Sequence, residues 1–276
     1  MSYLDILSKI DHSWWGLLAI FVLSLMRLAP IMAIVPFLGK GVAPIMGRVA
    51  LMLSLAVTFL PFIASHITTP VAFDIAFVQY SLKELVVGFV IGFFMTIPFL
   101  MAQTGGTIID YLRGASIMRS QDPTMKSQSS PIGTFYNFML ILVFFQMNGP
   151  FIFFDALIKS YQLIPLTSFF NPELLHMKNA FWSQCFEIVT QVVTIGLQLS
   201  APCLVAILMA ELFLGIANRL APQVQVSMLG MPLKSFLGIG VMWAGWFFIL
   251  KQFSRHSYSW LHTVEHIIYQ MKTMLF

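Results

Sequence analysis

The C-terminal segment contains the spacing of a zinc-peptidase motif. His262-Thr-Val-Glu265-His266 fits the pattern H-x-x-E-H, in which two histidines one helical turn apart bind a metal and the glutamate acts as a base. A zinc site needs a further protein ligand, and so short a motif also arises by chance. No phosphate-binding loop, dinucleotide fingerprint or nucleophile elbow occurs in the sequence. The favoured interpretation is therefore a protein that is not an enzyme and that needs no metal or cofactor.

Charged side chains inside apolar stretches are the second candidate for chemistry, because such residues usually serve a function or pair with one another. A proton-coupled secondary transporter would use acids such as Glu84, Asp155 and Glu211 as proton sites. We expect four of the charged residues near the ends of spans, where they can reach polar surroundings: Lys83, Glu84, Asp155 and Glu187. The other three, Arg27, Arg48 and Glu211, lie deeper and need partners. Structural pairing, within the chain or with another subunit, is favoured over a proton relay. The charged residues in these stretches are Arg27, Arg48, Lys83, Glu84, Asp155, Glu187 and Glu211.

The composition excludes a soluble globular enzyme. Of the 276 residues, 58% are hydrophobic and 9% are charged, against about 45–50% and about 25% in soluble domains. A net charge of +4 is too small an excess to indicate a nucleic-acid partner. Cys185 and Cys203 both lie in apolar stretches, so neither a disulfide framework nor a zinc site is indicated.

Six apolar stretches are long enough, or nearly so, to span a membrane as helices. The sequence therefore predicts an all-α, membrane-associated protein. Prolines and the run Asn148-Gly149-Pro150 interrupt several stretches. This pattern predicts either broken helices whose free backbone groups are satisfied by neighbouring protein or ordinary membrane helices that contain proline. In a six-span arrangement the lysine and arginine residues of the connecting segments divide almost evenly between the two sides of the membrane, so the positive-inside rule does not orient the chain. The predicted spans are Trp14–Leu38, Ile45–Ile67, Leu85–Ala102, Phe135–Ile158, Ile188–Ala217 and Leu233–Leu250.

Three further segments carry distinct patterns. Gly88-Phe-Val-Ile-Gly92 is a G-x-x-x-G motif that permits close helix approach in apolar surroundings. Gln103–Pro131 is the longest polar break, with glycines at its start and a turn signal later. Residues 253–276 place apolar side chains three and four apart, which predicts an amphipathic tail that lies on a membrane or docks on a partner helix. We expect residues 1–252 to form the core and 253–276 this tail.

Blocks of residues in a fixed order along the chain resemble one family. The most distinctive is Leu220-Ala-Pro-Gln-Val-Gln-Val-Ser-Met-Leu-Gly-Met-Pro-Leu-Lys234. Together the blocks resemble the SctT/FliR family, the export-gate subunit of type III secretion, and the injectisome branch more than the flagellar one. The other blocks are Arg27-Leu-Ala-Pro30 with Pro36 and Arg48, Leu82-Lys-Glu-Leu-Val-Val-Gly88 through Gly92, Gly105-Gly106 through Asp110 with Gly114 and Asp122-Pro123, and Asn148-Gly149 through Ser160-Tyr161 with Pro165.

The resemblance implies a structural channel subunit of the bacterial inner membrane. It would join SctR-like (FliP-like) and SctS-like (FliQ-like) subunits in a helical, pseudo-hexameric core, much of it above the membrane plane. An SctU-like (FlhB-like) subunit would wrap the base. The core would form the entrance through which unfolded proteins are exported.

The resemblance also implies roles for particular residues. The loop Gly105 to Pro131 would act as a plug that closes the resting channel, and a second set of residues would contact neighbouring subunits. The best plug candidates are Gly105, Gly106, Gly114, Ala115, Ser116, Ile117, Met118, Asp122 and Pro123. The candidates for subunit contacts are Arg27, Arg48, Lys83, Glu84, Glu211, Arg219, Pro222, Gly230, Pro232 and Lys234.

Overall fold

The computed structural model describes residues 14–41, 43–67, 73–114, 130–168, 180–220 and 226–275, without the side chains of 180–185, 226–229, 259, 261, 262 and 264–275. Within these ranges the regular elements are α-helices and one short 3-10 turn, Pro36–Leu38, and there is no strand. The all-α prediction is thereby confirmed. The helices are α1 Trp14–Ile34, α2 Ile45–Ser65, α3 Ile75–Leu112, α4 Pro131–Gln146, α5 Gly149–Leu163, α6 Ala180–Leu220, α7 Val226–Ala244 and α8 Trp246–Leu275.

Four of the described helices are long and apolar enough to cross a membrane by themselves: α1, α2, α3 and, over Phe186–Leu220, α6. Two bent pairs pass the same test together. The angle between α4 and α5 is 77°, and the angle between α7 and the start of α8 is 63°. If each pair is one span, the total reaches the six that the sequence predicts.

The positions at which the helices break agree with the sequence-based prediction at Asn148 and differ from it elsewhere. Asn148 separates α4 from α5 with a left-handed φ of 57°, and Pro150 behind it has no N–H to continue the earlier helix. The prolines Pro30, Pro61 and Pro98, by contrast, lie inside continuous helices, so they do not end a span as predicted. The second bent pair breaks at Gly245, between α7 and α8, where the sequence predicts one uninterrupted helix.

The chain forms two compact units. Unit 1 comprises Met1–Ile97, Asn148–Cys185 and Ser259–Phe276, and unit 2 comprises Pro98–Met147 and Phe186–Tyr258. Within unit 1, α1 packs on α2 and on the G-x-x-x-G face of α3. A Cβ on Gly88 would lie 2.8 Å from the ring of Pro30, and one on Gly92 would lie 3.1 Å from Cα of Ile31. The prediction that this motif permits close helix approach is confirmed.

Unit 2 is held together by close helix crossings and by aromatic packing. A Cβ on Gly105 of α3 would lie 3.1 Å from the backbone oxygen of Gly196 on α6. A Cβ on Gly106 would lie 2.6 Å from Cα of Gly133 on α4. Elsewhere in unit 2, the ring of Tyr136 on α4 meets the ring of Phe253 on α8 edge-on, at a centroid distance of 5.5 Å, which lies within the range of about 4.5–7 Å that aromatic pairs prefer.

The predicted tail does not begin as a separate element at residue 253. Helix α8 runs without interruption from Trp246 to Leu275, so its start lies inside the predicted last span. Its residue Trp260 is buried, with 6% of its surface exposed. The side chains of the remaining apolar stripe lie outside the described part of the chain, so the amphipathic docking of this stripe stays a prediction.

Candidate functional site

A buried cluster of three charges lies in unit 1. Arg27 of α1 donates from Nε to Glu84 Oε2 at 2.5 Å and from Nη2 to Oε1 at 3.0 Å. Both side chains are 0% exposed. This bidentate geometry is the strongest that a guanidinium and a carboxylate adopt. Arg27 also donates to Oγ of Ser160 at 3.2 Å and lies over the ring of Tyr161 at 4.1 Å, which holds α5 to the pair.

The second cation of this charge cluster is Lys83, the residue before Glu84 on α3. Its Nζ lies 2.9 Å from Glu84 Oε1. It also donates to the backbone oxygens of Pro165 at 2.6 Å and Leu166 at 2.9 Å. Two cations therefore share one carboxylate, and backbone carbonyls just after α5 supply the remaining negative partial charge.

The end of α5 explains why this arrangement is stable. The last carbonyls of a helix have no intrahelical donor and carry a partial negative charge. Arg27 donates to the oxygen of Ile164 at 2.8 Å, next to the carbonyls that Lys83 contacts. Pro165 follows and has no N–H to offer. Arg27 thus caps the C-terminus of α5 at its C-cap residue Ile164, and Lys83 binds the carbonyls of the two residues that follow.

This geometry corrects one prediction. Lys83 and Glu84 do not lie near the end of a span, because α3 begins at Ile75 and buries both side chains. The polar atoms of Arg27, Lys83 and Glu84 bind one another and groups inside the chain. Their role as subunit contacts stays a prediction.

A second buried carboxylate, Asp110, lies in unit 2 near the end of α3. It is 2% exposed. Its Oδ2 accepts from Oγ of Ser130 and from the backbone N–H of Ile132 at 2.9 Å. Its Oδ1 accepts from Nε of Arg113 at 2.7 Å. Residues on both sides of the intervening segment are therefore bound to one carboxylate, an arrangement that we call the loop clasp.

The N-terminus of α4 supplies the donors that the loop clasp binds. Ser130 is the N-cap of α4, and its Oγ accepts from the N–H of Gly133 at 2.9 Å. Pro131 follows at the first helical position, where a missing N–H costs nothing. Asp110 satisfies another of the free N–H groups and places a negative charge at the positive end of the helix.

The predicted plug residues lie in three places: within helix α3, at the turn that follows α3, and in a segment outside the described residues. Gly105 and Gly106 are not turn residues, because α3 continues to Leu112 and these glycines allow the close helix crossings of unit 2. Gly114 does turn the chain, with a φ of 84° that favours glycine. Ala115, Ser116, Ile117, Met118, Asp122 and Pro123 lie outside the described residues.

The remaining predicted contact residues lie in different surroundings. Arg48 of α2 donates to the backbone oxygen of Met32 on α1 at 2.5 Å. Glu211 of α6 and Lys234 of α7 form a partly exposed ion pair in unit 2. Arg219 and Pro232 are exposed, Gly230 is buried, and Pro222 lies outside the described residues. Arg48 and Glu211, which the sequence predicts to be deep charges in need of partners, both have one inside the chain.

The described side chains include no group of three or more histidine, cysteine, aspartate or glutamate residues that could hold a metal ion. The side chains of His262, Glu265 and His266 lie outside that set. The zinc-peptidase interpretation therefore stays a prediction of the sequence.

The sequence profile of the family described as bacterial export proteins, family 1, matches residues 18–259 of the chain. The chain belongs to this family. It is 33% identical over 218 residues to Yop proteins translocation protein T of Yersinia pestis, which covers 78% of this chain and 81% of that protein. It is 30% identical over 226 residues to surface presentation of antigens protein SpaR of Salmonella typhimurium, with 82% of each chain covered. Flagellar biosynthetic protein FliR of Bacillus subtilis is 29% identical over 217 residues, covering 78% and 81%.

The resemblance to the SctT/FliR family is thereby confirmed, and the relatives with higher identity are of the injectisome type. Together with four to six helices able to cross a membrane, family membership identifies this export protein as a multi-pass protein of the bacterial inner membrane.

Two features of the export protein escaped sequence reasoning. The first is the use of carbonyls after α5 by Arg27 and Lys83, which no motif encodes because backbone acceptors are common to all residues. The second is the loop clasp. Its Ser130-Pro131 pair carries the ordinary signature of a helix start, and that signature marks the end of the loop without revealing that Asp110 reaches it.

Proposed function

We propose that this protein is the export-gate subunit of a type III secretion system. Family membership makes it a component of an export apparatus, and the names of its relatives refer to translocation of Yop proteins, surface presentation of antigens and flagellar biosynthesis. In this role the chain is a structural, non-enzymatic channel subunit. It forms, with SctR-like and SctS-like subunits, the entrance for unfolded proteins, while an SctU-like subunit contacts the base.

The loop clasp is the observation that carries the gating role. The segment between Gly114 and Ser130 leaves α3 and returns to α4, and Asp110 binds both Arg113 and Ser130 at these two ends. A loop whose ends are held by a buried carboxylate keeps a fixed base. Such a base lets the intervening residues act as a plug at one defined place, with Gly114, Ser116, Ile117, Met118 and Asp122-Pro123 as the gating residues.

The lengths of the helices support a core that extends beyond the bilayer. Helix α3 has 38 residues and α6 has 41, which at about 1.5 Å per residue gives roughly 57 and 62 Å. The hydrocarbon core of a bilayer is only about 30 Å thick. Parts of both helices therefore need other cover, and neighbouring export subunits in a pseudo-hexameric core supply it in this proposal.

The acids that a proton-coupled transporter would use are engaged in ion pairs. Glu84 is held by Arg27 and Lys83, Asp155 pairs with Lys159 at 2.9 Å, and Glu211 pairs with Lys234. A relay needs a carboxyl that is free to exchange partners during turnover, whereas each of these three carboxyl groups already binds a cation of the same chain. These pairings favour a structural role for the acids over proton transfer.

Ion leakage through the assembled complex tests the plug. We expect deletion of Ser116–Met118 to raise leakage of small ions through the purified complex in liposomes, because the seal is shortened while both ends of the loop stay bound. Deletion of three residues from another connection, Leu174–His176, is the matched control and should leave leakage unchanged. Unchanged leakage in the plug deletion, with the complex intact, would contradict the gating role.

Co-purification tests the partners. A tagged copy of the full chain, extracted in mild detergent, should bring down SctR-like, SctS-like and SctU-like proteins that mass spectrometry identifies. The isolated chain should be inert in a liposome proton-flux assay. Proton flux by the isolated chain would instead support the transporter.

A further inference from the structure

Helix α3 contains a proline at a point where it is buried. Pro98 lies inside the helix, and as a proline it cannot donate the hydrogen bond that residue 98 of a regular helix gives to the carbonyl of residue 94. In apolar surroundings another group commonly supplies the missing donor. The carbonyl in question belongs to Phe94, a buried residue.

The indole of Trp260 supplies such a donor. Its Nε1 donates to the backbone oxygen of Phe94 at 2.9 Å. Both Phe94 and Trp260 belong to unit 1, and Trp260 is 6% exposed. The two residues are 166 positions apart, so the bond joins the last described helix to the turn of α3 that Pro98 deprives of its usual donor.

We propose that Trp260 is a positioning residue whose indole N–H replaces the backbone donor that Pro98 lacks, and that this bond fixes the C-terminal part of α8, from Ser259 onward, to Phe94 of α3 within unit 1. The proposal gives the C-terminal segment a defined role. It is a docked element of the fold from Trp260 onward, rather than an arm that attaches only through an apolar stripe. It is independent of the gating role of the loop.

The proposal depends on the N–H donor of Trp260 and not on the size of its side chain. Tryptophan has a large apolar ring and a single N–H donor, so when buried it usually finds one acceptor. Phenylalanine keeps a large aromatic ring and loses the donor. If Trp260 acts by packing alone, its replacement by phenylalanine should have the same effect whichever residue stands at position 98. If it acts through the N–H, the effect should depend on Pro98.

Limited trypsin digestion of the purified full chain in detergent measures the attachment, because cleavage within a helix requires local opening. The relevant sites are Lys251 and Arg255, which are exposed on α8. We expect W260F to raise the cleavage rate there about tenfold, which corresponds to about 1.4 kcal/mol of opening free energy. Trp243 is 80% exposed, and W243F is the matched control, with a rate within about twofold of the unchanged chain.

The decisive comparison uses the variant P98A, which restores a backbone donor at position 98. In P98A the alanine N–H can donate to the Phe94 carbonyl, so we expect W260F in the P98A background to change the cleavage rate less than about twofold relative to P98A alone. An equal, roughly tenfold change in both backgrounds would overturn the proposal, as would no change in the unaltered background.

Retention of the chain in membranes keeps the test decisive if a variant does not accumulate enough for purification. Full-length protein is then quantified by immunoblot for W260F, P98A and the double variant. Recovery of the double variant to within about twofold of P98A alone supports the proposal. A double variant as depleted as W260F alone overturns it.

Discussion

The charge cluster of unit 1 and the loop clasp of unit 2 are each built around one buried carboxylate, but they join very different stretches of chain. Glu84 holds Arg27, 57 positions away, and through that arginine Ser160 and Ile164. Asp110 holds Ser130, only 20 positions away. The first contact unites three helices, whereas the second closes one loop.

The composition of the two sites also differs. The charge cluster contains two cations for one carboxylate and uses backbone carbonyls to balance the excess. Among the described residues, one cation, a hydroxyl and a backbone N–H bind the carboxylate of the loop clasp. Removal of the carboxylate therefore leaves two buried cations in unit 1, whereas the described cation in unit 2, Arg113, is partly exposed. The comparison predicts a global defect in the first case and a local defect in the second.

The largest effect is expected from Glu84→Gln. Loss of the carboxylate leaves Arg27 and Lys83 buried without their counter-ion, which costs about 3–5 kcal/mol in comparable buried pairs. We expect the chain to fail to accumulate as a monodisperse species in size-exclusion chromatography from detergent. Glu187→Gln, at an exposed site on α6, is the control and should behave like the unchanged chain. Normal accumulation of Glu84→Gln would contradict the expectation that the charge cluster matters for the whole fold and the loop clasp only locally.

Gly106→Ala tests the helix crossing beside the loop clasp. The added Cβ would lie 2.6 Å from the backbone of Gly133, so the helices must move apart, which typically costs about 1–3 kcal/mol. Gly240→Ala is the control, because nothing lies within 4 Å of the added Cβ. Thermal unfolding in detergent should separate the two variants by several degrees. Equal melting temperatures would show that Gly106 is not a packing glycine.

Asp110→Asn should act locally. The amide keeps one acceptor but loses the charge that binds Arg113 and Ser130, at a cost of about 1–3 kcal/mol. We expect faster hydrogen exchange at the amides of Ile132 and Gly133, an assembled complex, and raised ion leakage. Asp155→Asn, in an exposed ion pair, is the control. Faster exchange without leakage would support the loop clasp and separate it from gating, whereas unchanged exchange would contradict the loop clasp itself.

The smallest effect on the isolated chain is expected from Glu211→Gln. Partly exposed ion pairs contribute about 0–1 kcal/mol, so the melting temperature of the chain should barely change. If Glu211, Lys234 and Arg219 anchor subunit contacts, as the sequence predicts, co-purification of partner subunits should fall nonetheless. Normal assembly and normal secretion by this variant would remove Glu211 from the contact residues.

Much of this fold is predictable from local sequence. Apolar stretches of about 20 residues predict the spans because the bilayer sets their length. Asn148-Gly149-Pro150 predicts a break because it combines a residue that tolerates positive φ with one that lacks a donor. Single prolines are poor predictors of where these helices end. Pro98 lies within α3, and a distant tryptophan donates to the carbonyl of Phe94 in the turn before it. That partner cannot be seen in the local sequence.

The candidate sites are harder to predict. Lys83 and Glu84 are adjacent in the sequence and resemble a polar pair at the end of a span, yet α3 extends on both sides and buries them. Gly105 and Gly106 resemble the start of a loop because polar residues surround them, yet they are the positions where α3 meets α6 and α4. In both cases the environment of a residue depends on helices contributed by remote segments, which one sequence does not place.

The charge cluster has a consequence for how the chain is made. Arg27 enters the membrane long before Glu84 is synthesised, and the carbonyls after α5 that complete the cluster are delivered later still, 137 residues behind Arg27. A nascent chain stopped after α3 therefore carries two cations and one carboxylate with no cap to balance them. Insertion of α5 is the step that completes the site, so chains truncated before Ile164 should be the ones that membrane quality-control proteases remove.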